Sequence, residues 1–385
     1  MTRQPATDLI GVRVVVGLSG GVDSAVAALL LRERGADVHA LHMTNWEDDD
    51  VYCTAAEDLQ DARRVADDLG IPLHHVNFSR EYRQKVFDHF LGEYRAGRTP
   101  NPDVLCNREI KFGAFRAHAR RLGAERVATG HYARRSGTKD AVQLLKGRDP
   151  DKDQSYFLHA VSADALSDAL FPLGDMLKSD VRAMARDHGL ATQDKKDSTG
   201  ICFIGERPFR EFLSQFLPPS GGPIVTPDGV ELGRHDGLAY YTLGQRQGLG
   251  IGGRADSGDA PWYVAGKDRD ANALIVVQGE HPLLYSEAID VRQAHWIGEP
   301  PDLAGDAFNC AVKLRYRQPD QACRIERHAD DTLRVRFERQ QRAVTPGQYA
   351  VFYDGERCLG GGVIDCIVRE SSADARPAAR FRAAG

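Results

Sequence analysis

Residues 19–24 read Ser-Gly-Gly-Val-Asp-Ser, between the apolar run Val12–Val16 and a stretch with helical periodicity at Ser24–Arg34. This order predicts a strand, a glycine-rich turn and a helix whose first N–H groups have no backbone partner. Those groups carry the positive end of the helix dipole. Gly20 and Gly21 have no Cβ atoms, so an anion can come close to the backbone. The turn therefore predicts a phosphate-binding site.

The side chains of the turn suit the same chemistry. Ser19 and Ser24 can donate hydroxyl hydrogen bonds to phosphate, and Asp23 can help to hold a metal ion. The Gly-Lys pair of a Walker loop is missing, which excludes a P-loop nucleoside triphosphatase. Taken alone, the six residues leave open a plain strand-to-helix turn.

The composition is that of an ordinary globular protein. The chain has 385 residues, of which 42% are hydrophobic and 27% charged, and this length predicts two or three domains. It contains no long apolar run, so we expect no membrane span. The polar start Met1–Asp8 lacks the pattern of a signal or transit peptide, so we expect a cytoplasmic protein.

Charge and cysteine content narrow the classes further. The net charge is −5, but Gly92–Arg135 carries ten Lys and Arg against four Asp and Glu, and Lys313–Arg342 carries nine against five. Such patches give weak support for RNA binding. The seven cysteines include no Cys-x-x-Cys pair, which argues against a disulfide framework and a local zinc site. Four of them lie in strand-like runs and are expected to be small buried hydrophobes: Cys310, Cys323, Cys358 and Cys366.

Strand-like and helix-like segments alternate over the first two hundred residues. The strand-like runs are Val12–Gly17, Asp37–Met43, Leu73–Phe78 and Arg126–Tyr132. The helical patterns are Ser24–Arg34, Ala55–Leu69, Arg80–Ala96, Arg108–Leu122, Ser155–Leu170 and Lys178–His188. The alternation predicts an α/β fold with a doubly wound parallel sheet. Ligands of such sheets bind beyond the carboxyl ends of the strands, which brings Gly17–Ser24, Met43 and Gly130–His131 to one rim.

The pattern changes in the second half of the chain. We expect a catalytic domain over 1–217, a small central domain of short strands over 218–298, a β-barrel over 299–370 and a disordered tail over 371–385. The linker before the barrel is predicted at Gly298–Gly305.

Two loops are predicted to present thiols. Residues 101–107, stiffened by neighbouring prolines, place Asp103 and Cys106 just ahead of two basic residues that would favour a thiolate. Residues 198–203 present Cys202 after two lysines. Whether the two thiols meet is a question of tertiary structure, and either cysteine alone could be structural.

Six strings follow one another along the chain: SGGVDS (19–24), GRTPNPDVLCNREIKF (97–112), ATGHYARR (128–135), DKDQSYFL (151–158), DSTGICFIGER (197–207) and YTLGQRQGLGIGG (241–253). In this order they resemble the bacterial tRNA 2-thiouridylases, a family of N-type ATP pyrophosphatases with the PP-loop, or adenine nucleotide alpha hydrolase-like, fold. The resemblance extends from Val14 to about Ile367. A bare pyrophosphate loop is shared with several synthetases, whereas the longer strings are specific.

The resemblance implies a sulfur transfer to tRNA. ATP would adenylate the 2-oxygen of the wobble uridine in tRNAs for Lys, Glu and Gln, and persulfide sulfur would replace that oxygen, giving 2-thiouridine, AMP and pyrophosphate. Cys202 would hold the persulfide, Cys106 would resolve it as a Cys106–Cys202 disulfide, and Asp103 would be the general acid or base. The sulfur would come from a cysteine desulfurase or a sulfur-relay protein.

The resemblance also implies the binding residues. For ATP, used with Mg²⁺ whose protein ligands stay unassigned, they are Gly17, Leu18, Ser19, Gly20, Gly21, Val22, Asp23, Ser24, Met43 and Gly130. For the flipped target base they are Asn101, Pro102 and Asp103. For the rest of the tRNA they are His131, Lys152, Asp153, Gln154, Arg315, Tyr316 and Gln348.

Three alternatives remain open at this point. The chain could be an ATP pyrophosphatase that forms an amide or guanidine on a small metabolite. It could be an RNA-binding protein that senses ATP without catalysis. Finally, Cys106, Cys202 and Asp103 could ligate an iron–sulfur cluster that delivers sulfide.

Overall fold

The computed structural model describes residues 9–46, 55–196, 208–252, 260–303, 307–328 and 331–369. Cys202, Cys53 and the predicted tail over 371–385 lie outside these ranges. Among the helices of the described ranges, none combines the length and the apolar character needed to cross a membrane.

The elements of the first half alternate between strands and helices. They are β1 (Arg13–Gly17), α1 (Val22–Glu33), β2 (Asp37–Thr44), α2 (Ala55–Leu69), β3 (Leu73–Asn77), α3 (79–95), α4 (102–121), β4 (Arg126–Ala128), β5 (Ala133–Ser136), β6 (Gln143–Lys146), α5 (Ser155–Leu158), α6 (Ala163–Ser167), β7 (Ala169–Leu170) and α7 (Lys178–Asp187). Helices α3 and α4 each contain a π-helical stretch, at Arg83–Phe87 and Cys106–Phe115.

The second half consists mainly of strands. After α8 (Phe209–Ser214) come β8 (Gly222–Val225), β9 (Glu231–His235), β10 (Trp262–Asp268), β11 (Ala273–Gln278), β12 (Tyr285–Trp296), β13 (Phe308–Lys313), β14 (Gln321–Arg327), β15 (Leu333–Arg342), β16 (Tyr349–Asp354) and β17 (Arg357–Val368). Single 3₁₀ turns lie at Leu238–Tyr240 and Pro282–Leu284.

The predicted doubly wound parallel sheet is confirmed. Its strand order is β3-β2-β1-β4-β7, and neighbouring strands run parallel. Alternate residues of β1 point to opposite faces: Val14 and Val16 pack in one core with α1, α2 and α7, and Val15 packs in another with α3 and α4. Helices therefore cover the sheet on both sides, which explains why β1 reads as a continuous apolar run.

The central domain is a four-stranded sheet of order β10-β11-β8-β9. Strands β8 and β11 are parallel, and the other pairs are antiparallel. Its small core contains Ile224, Val264, Leu274 and Val276.

A closed barrel follows, as predicted. The order β12-β15-β14-β13-β16-β17 is closed by pairing of β12 with β17, which leaves the barrel without a free edge. Strand β6 adds to β17 from outside, with β5 next to it. The β5–β6 hairpin, which the sequence pattern did not indicate, thus joins the first domain to the barrel sheet.

Some predicted boundaries differ from the structure. The predicted loop over 101–107 is wrong beyond Asn101, because Pro102 opens helix α4 as its first residue, a position at which proline costs no hydrogen bond. The predicted helix Ser155–Leu170 is split into α5, α6 and β7. Strand β12 lies in the range expected for the central domain but pairs with β15 and β17, because sheet membership is set by long-range pairing.

Candidate active site

The glycine-rich turn after β1 is held together by its own serines. The Ser24 hydroxyl accepts the Ser19 N–H at 3.2 Å and donates to the Gly21 carbonyl oxygen at 3.0 Å. The Ser19 Oγ lies 3.2 Å from the Ser24 Oγ. Ser24 is buried, so its hydroxyl shapes the turn around the N-terminus of α1 and presents the backbone amides there.

Two glycines of this region have no room for a side chain. A Cβ atom on Gly20, whose φ is +80°, would lie 2.4 Å from the Asp58 carbonyl oxygen. A Cβ on Gly130 would lie 2.9 Å from the Ser24 nitrogen and 2.9 Å from the Asp23 carbonyl carbon. The turn is therefore pressed between the start of α2 and the segment after β4, as expected if the carboxyl ends of parallel strands meet at one rim.

Asp23 has two partners that the sequence did not reveal. Lys178 Nζ donates to its Oδ1 and Oδ2 at 2.7 and 2.8 Å, and the Tyr132 hydroxyl donates to Oδ1 at 2.7 Å. Lys178 is buried at the first position of α7, with its N–H bound to Asp149 Oδ2 at 2.9 Å. No local motif links Asp23 to a lysine 155 residues away, so only the fold could place this pair.

The residues present suit a magnesium ion only if phosphates provide most of its ligands. In the described ranges, no group of three or more His, Cys, Asp or Glu side chains could hold a metal ion. Mg²⁺ in nucleotide sites keeps water and phosphate ligands and needs only one or two carboxylates. Asp23, whose side chain is 33% exposed, is a carboxylate within the phosphate turn that could serve as such a ligand.

The end of β2 is tied to the same turn. His42 is buried, and its Nδ1 lies 2.8 Å from the Leu18 carbonyl oxygen, so Nδ1 carries the proton and donates. Burial lowers the pKa of His42, which keeps the ring neutral at pH 7. Met43, the next residue, is half-buried, and its contact with ATP stays a prediction.

Asp103 lies in the first turn of α4. Asn101 caps this helix, since its side-chain oxygen accepts the Asp103 N–H at 3.1 Å. Burial raises the pKa of Asp103, and the nearby Lys111 ammonium opposes this shift. A carboxyl group with a raised pKa can hold a proton closer to neutral pH than an exposed one, which suits acid–base chemistry.

Lys111 also approaches His131. Its Nζ lies 3.4 Å from His131 Nε2, while Thr129 Oγ1 lies 2.8 Å from His131 Nδ1. Burial and the Lys111 charge hold the pKa of His131 well below its usual value, so the ring is neutral. Because an ammonium can only donate, Nε2 accepts and Nδ1–H donates to Thr129.

The structure corrects the expected setting of Cys106. Its thiol is not presented by an open loop: Cys106 lies in α4, is 2% exposed and belongs to the core between α3 and α4. The neighbouring Arg108 bonds Glu109 Oε1 at 2.8 Å. Cys202, the predicted partner of Cys106, lies outside the described residues, so the pairing of the two thiols stays a prediction.

The segment leading to Asp103 is held by all three domains. Lys267 Nζ on β10 donates to the Gly97 carbonyl oxygen at 3.2 Å, and burial lowers the pKa of Lys267 to about 8. In the barrel domain, the Pro346 carbonyl oxygen accepts the Thr99 N–H at 2.9 Å, and Gln348 Nε2 donates to the Thr99 carbonyl oxygen at 2.7 Å.

An ion-pair network around the buried carboxylate of Glu93 supports the same segment. Arg98 donates two hydrogen bonds to Glu93, at 2.6 Å from Nε and 2.5 Å from Nη2. Arg292 on β12 reaches both oxygens of Glu93 at 3.4 Å. Burial opposes ionisation, but Arg98 and Arg292 hold the pKa of Glu93 below its usual value. The network therefore joins α3, the segment 97–101 and the barrel.

The residues expected to bind the rest of the tRNA differ in their burial and in their hydrogen-bond partners. Asp153 is buried and accepts hydrogen bonds from Gly147 N and Ser155 N, and the Gln154 Oε1 accepts the Tyr132 N–H at 3.0 Å. Arg315 is exposed, but its Nη2 donates to the Ala343 carbonyl oxygen at 2.5 Å, and Tyr316 packs on Phe157 with ring centroids 4.5 Å apart. Lys152 is half-buried. Asp153, Gln154, His131, Gln348 and Arg315 each bond other groups of the chain.

Comparison with known proteins agrees with this architecture. Three family models match in chain order: a tRNA methyl transferase HUP domain over 12–206, a tRNA methyl transferase PRC-barrel domain over 210–278 and an aminomethyltransferase beta-barrel domain over 286–364. Among solved structures, the U34-tRNA thiolase NcsA from Methanococcus maripaludis is 17% identical with a TM-score of 0.35, over 55% of this chain and 68% of that one. That likeness is too distant to bear on function.

Curated relatives are much closer. A protein of Hahella chejuensis named tRNA-specific 2-thiouridylase MnmA is 57% identical over 360 residues, 93% of this chain and 98% of the relative. One of the same name from Pseudomonas fluorescens is 58% identical over 367 residues, 94% of this chain and 97% of the relative. With such identity over almost the full length, the chain belongs to the family of bacterial tRNA-specific 2-thiouridylases.

Proposed function

We propose that this protein is an ATP-dependent tRNA uridine 2-sulfurtransferase. The observation that carries the proposal is the phosphate turn with no space for side chains at Gly20 and Gly130, at the same sheet rim as His131. Through Lys111, His131 is connected to the helix that bears Asp103 and Cys106. The similarity to named thiouridylases supports the choice of substrate.

The phosphate turn would bind and orient ATP. The amides at the N-terminus of α1 face the phosphates, and the helix dipole favours their negative charge. A magnesium ion bound with the nucleotide, with Asp23 as its protein ligand, would neutralise charge on the departing pyrophosphate. Lys178 holds the Asp23 carboxylate in place and adds positive charge at the same point.

Asp103 would serve the target base. Asn101 and Pro102 start α4 so that the carboxyl group of Asp103 lies in its first turn, where a flipped pyrimidine could reach it. The raised pKa of Asp103 suits transfer of a proton to or from the uridine as its 2-oxygen attacks the α-phosphorus of ATP.

Cys202 would carry the sulfur, and Cys106 would release it to the product. The terminal sulfur of a persulfide on Cys202 bonds to C2 of the adenylated uridine, and AMP leaves with the electrons of the C2–O bond. Cys106 then attacks the Sγ of Cys202, which breaks its bond to the transferred sulfur and leaves 2-thiouridine and a Cys106–Cys202 disulfide. Because Cys106 is buried, this step requires its thiol to become uncovered.

The proposal extends to partners and location. The substrates are tRNAs for Lys, Glu and Gln, and the sulfur donor is a cysteine desulfurase or a sulfur-relay protein. The protein acts in the cytoplasm, where these partners are. Arg315 and Tyr316 supply a guanidinium for phosphate and a ring for stacking on a base.

The direct test is mass spectrometry of tRNA nucleosides after incubation with the protein, ATP, Mg²⁺ and a persulfide donor. We expect 2-thiouridine and AMP in equal amounts, and neither product from a matched tRNA with cytidine at the wobble position. AMP formation that needs no tRNA would instead support a ligase for a small metabolite. Loss of activity on removal of bound iron would support the cluster mechanism.

A further inference from the structure

Two cysteines of the barrel lie directly opposite each other. Cys310 on β13 and Cys323 on β14 are register partners in an antiparallel pair, and their Sγ atoms are 3.6 Å apart. Adjacent strands place such opposed Cβ atoms within the range that a disulfide can span after small adjustments. A change of side-chain rotation can therefore bring the two sulfur atoms to bonding distance without changing the strand register.

The two thiols differ in access. Cys323 is 4% exposed and packs in the barrel core with Ile325 and Val335, whereas Cys310 is half-buried at the edge of that core. The hydrogen bond to Cys310 and burial both raise the pKa of Cys323. A reagent from solvent therefore meets Cys310 first, and Cys323 is the neighbour able to complete an exchange.

We propose that Cys310 and Cys323 form a second dithiol site, separate from Cys106 and Cys202, that reacts with sulfane sulfur and closes to a cross-strand disulfide. In the first step Cys310 takes the outer sulfur of a persulfide R–S–SH, which releases R–SH and leaves a Cys310 persulfide. Cys323 then attacks the Sγ of Cys310, an S–S bond forms, and the outer sulfur leaves as H₂S. The persulfide is the two-electron oxidant, so no other reagent is needed.

The consequence is that sulfur taken up at Cys310 is lost from the protein and is not delivered to tRNA. Sulfane sulfur accepted by Cys310 is discharged as sulfide, and strand β13 becomes fastened to β14. This part of the inference rests on the proposed function, which would bring persulfides to the protein. The reactivity of the thiol pair itself depends only on their opposed positions.

The test uses the reduced full-length protein with glutathione persulfide, without ATP or tRNA. Trypsin releases Cys310 in peptide 293–313 and Cys323 in peptide 318–324. We expect these peptides joined, with a mass about 2 Da below their sum, together with released sulfide. Recovery of the two peptides separately, with both thiols open to alkylation, would overturn the proposal.

Variants identify the order of the steps. Cys323→Ser should trap a persulfide on Cys310, seen as about 32 Da added to peptide 293–313, and Cys310→Ser should leave Cys323 unmodified. Cys366→Ser, at an exposed thiol elsewhere in the barrel, should leave the joined peptides unchanged. If the single variants fold poorly by circular dichroism, the result for the wild-type protein decides.

The same preparations separate this proposal from the proposed function. The Cys310→Ser/Cys323→Ser variant should thiolate tRNA at the wild-type rate, because neither residue touches the active site. Joined peptides without any tRNA thiolation would refute the proposed function alone. Thiolation without joined peptides would refute the dithiol site alone.

Discussion

Gln348, in the barrel domain, donates a hydrogen bond of 2.7 Å from its Nε2 to the carbonyl oxygen of Thr99, four residues before Asp103. The bond connects the domain expected to hold the tRNA to the segment expected to meet the target base. The resemblance implies a tRNA contact for Gln348, and the structure shows a role for it inside the chain. If the proposed tRNA binding to the barrel displaces Gln348, we expect the change to reach Asp103 through Thr99.

Replacing Gln348 should weaken catalysis by loosening this segment. In Gln348→Ala the Thr99 carbonyl oxygen loses its partner, which costs about 1 kcal/mol. We expect kcat/KM for tRNA thiolation to fall about fivefold at most, measured by steady-state kinetics. Gln340→Ala is the matched control, because Gln340 is an exposed barrel glutamine whose Nε2 donates to Glu287, away from Thr99. An equal loss in both variants would contradict the prediction.

A methyl group at Gly130 should damage the nucleotide site. The added Cβ would lie 2.9 Å from the Ser24 nitrogen, so the N-terminus of α1 must shift away from its anion-binding position. We expect ATP affinity of Gly130→Ala to fall at least about tenfold, or about 1.4 kcal/mol, in a calorimetric titration. Gly92→Ala should bind ATP normally, because Gly92 lies in α3 with no atom within 4 Å of an added Cβ. Unchanged ATP affinity in Gly130→Ala would refute the assignment.

Neutralising Glu93 should destabilise the protein strongly. Glu93→Gln removes the buried carboxylate that Arg98 and Arg292 share, although Arg292 keeps its ion pair with Asp365 at 3.1 Å. We expect a loss of about 2 kcal/mol in the free energy of unfolding. The control is Glu356→Gln: the Glu356 side chain is 71% exposed and pairs with Arg134, a contact worth at most about 1 kcal/mol. Urea unfolding of the two variants measures the difference.

The Glu93 effect should depend on pH in one direction. Because the pKa of Glu93 is lower in the folded protein than its usual value of 4.5, its stabilising contribution is complete above that value. It is lost as the pH falls through the folded-state pKa. The stability gap between wild type and Glu93→Gln should therefore be constant near pH 7 and shrink below about pH 4.5. A gap that widens with acid would contradict this origin.

The pH–rate profile should report on Asp103 and Lys111. If Asp103 acts as a base, kcat/KM rises with pH through a pKa that burial places above the usual 3.8 of aspartate. Lys111→Met removes the ammonium that opposes this rise, so the acidic limb should move to higher pH. Lys85→Met is the control, since Lys85 pairs with Glu109 instead. If the acidic limb of Lys111→Met stays where it is in the wild type, that limb does not report the ionisation of Asp103.

Much of the first domain could be predicted from local patterns. The apolar run of β1 and the six residues 19–24 predict a strand, a phosphate turn and a helix, and the structure confirms this order. The sequence pattern misplaces the start of α4, because prolines favour loops in general but Pro102 is compatible with the first helical position. The exposure of Cys366 was also missed, since a strand pattern does not tell which face is covered.

The amino-acid sequence by itself determined the phosphate turn, the alternation that builds a parallel sheet and the thiol-bearing strings, because strand and helix periodicities and glycine turns are properties of short segments. Tertiary structure alone decided that Lys178 neutralises Asp23, that three domains hold the segment 97–101 and that Cys310 faces Cys323. The physical reason is distance along the chain. Ion pairs, interdomain hydrogen bonds and strand register join residues far apart in sequence, and short local patterns do not predict such contacts.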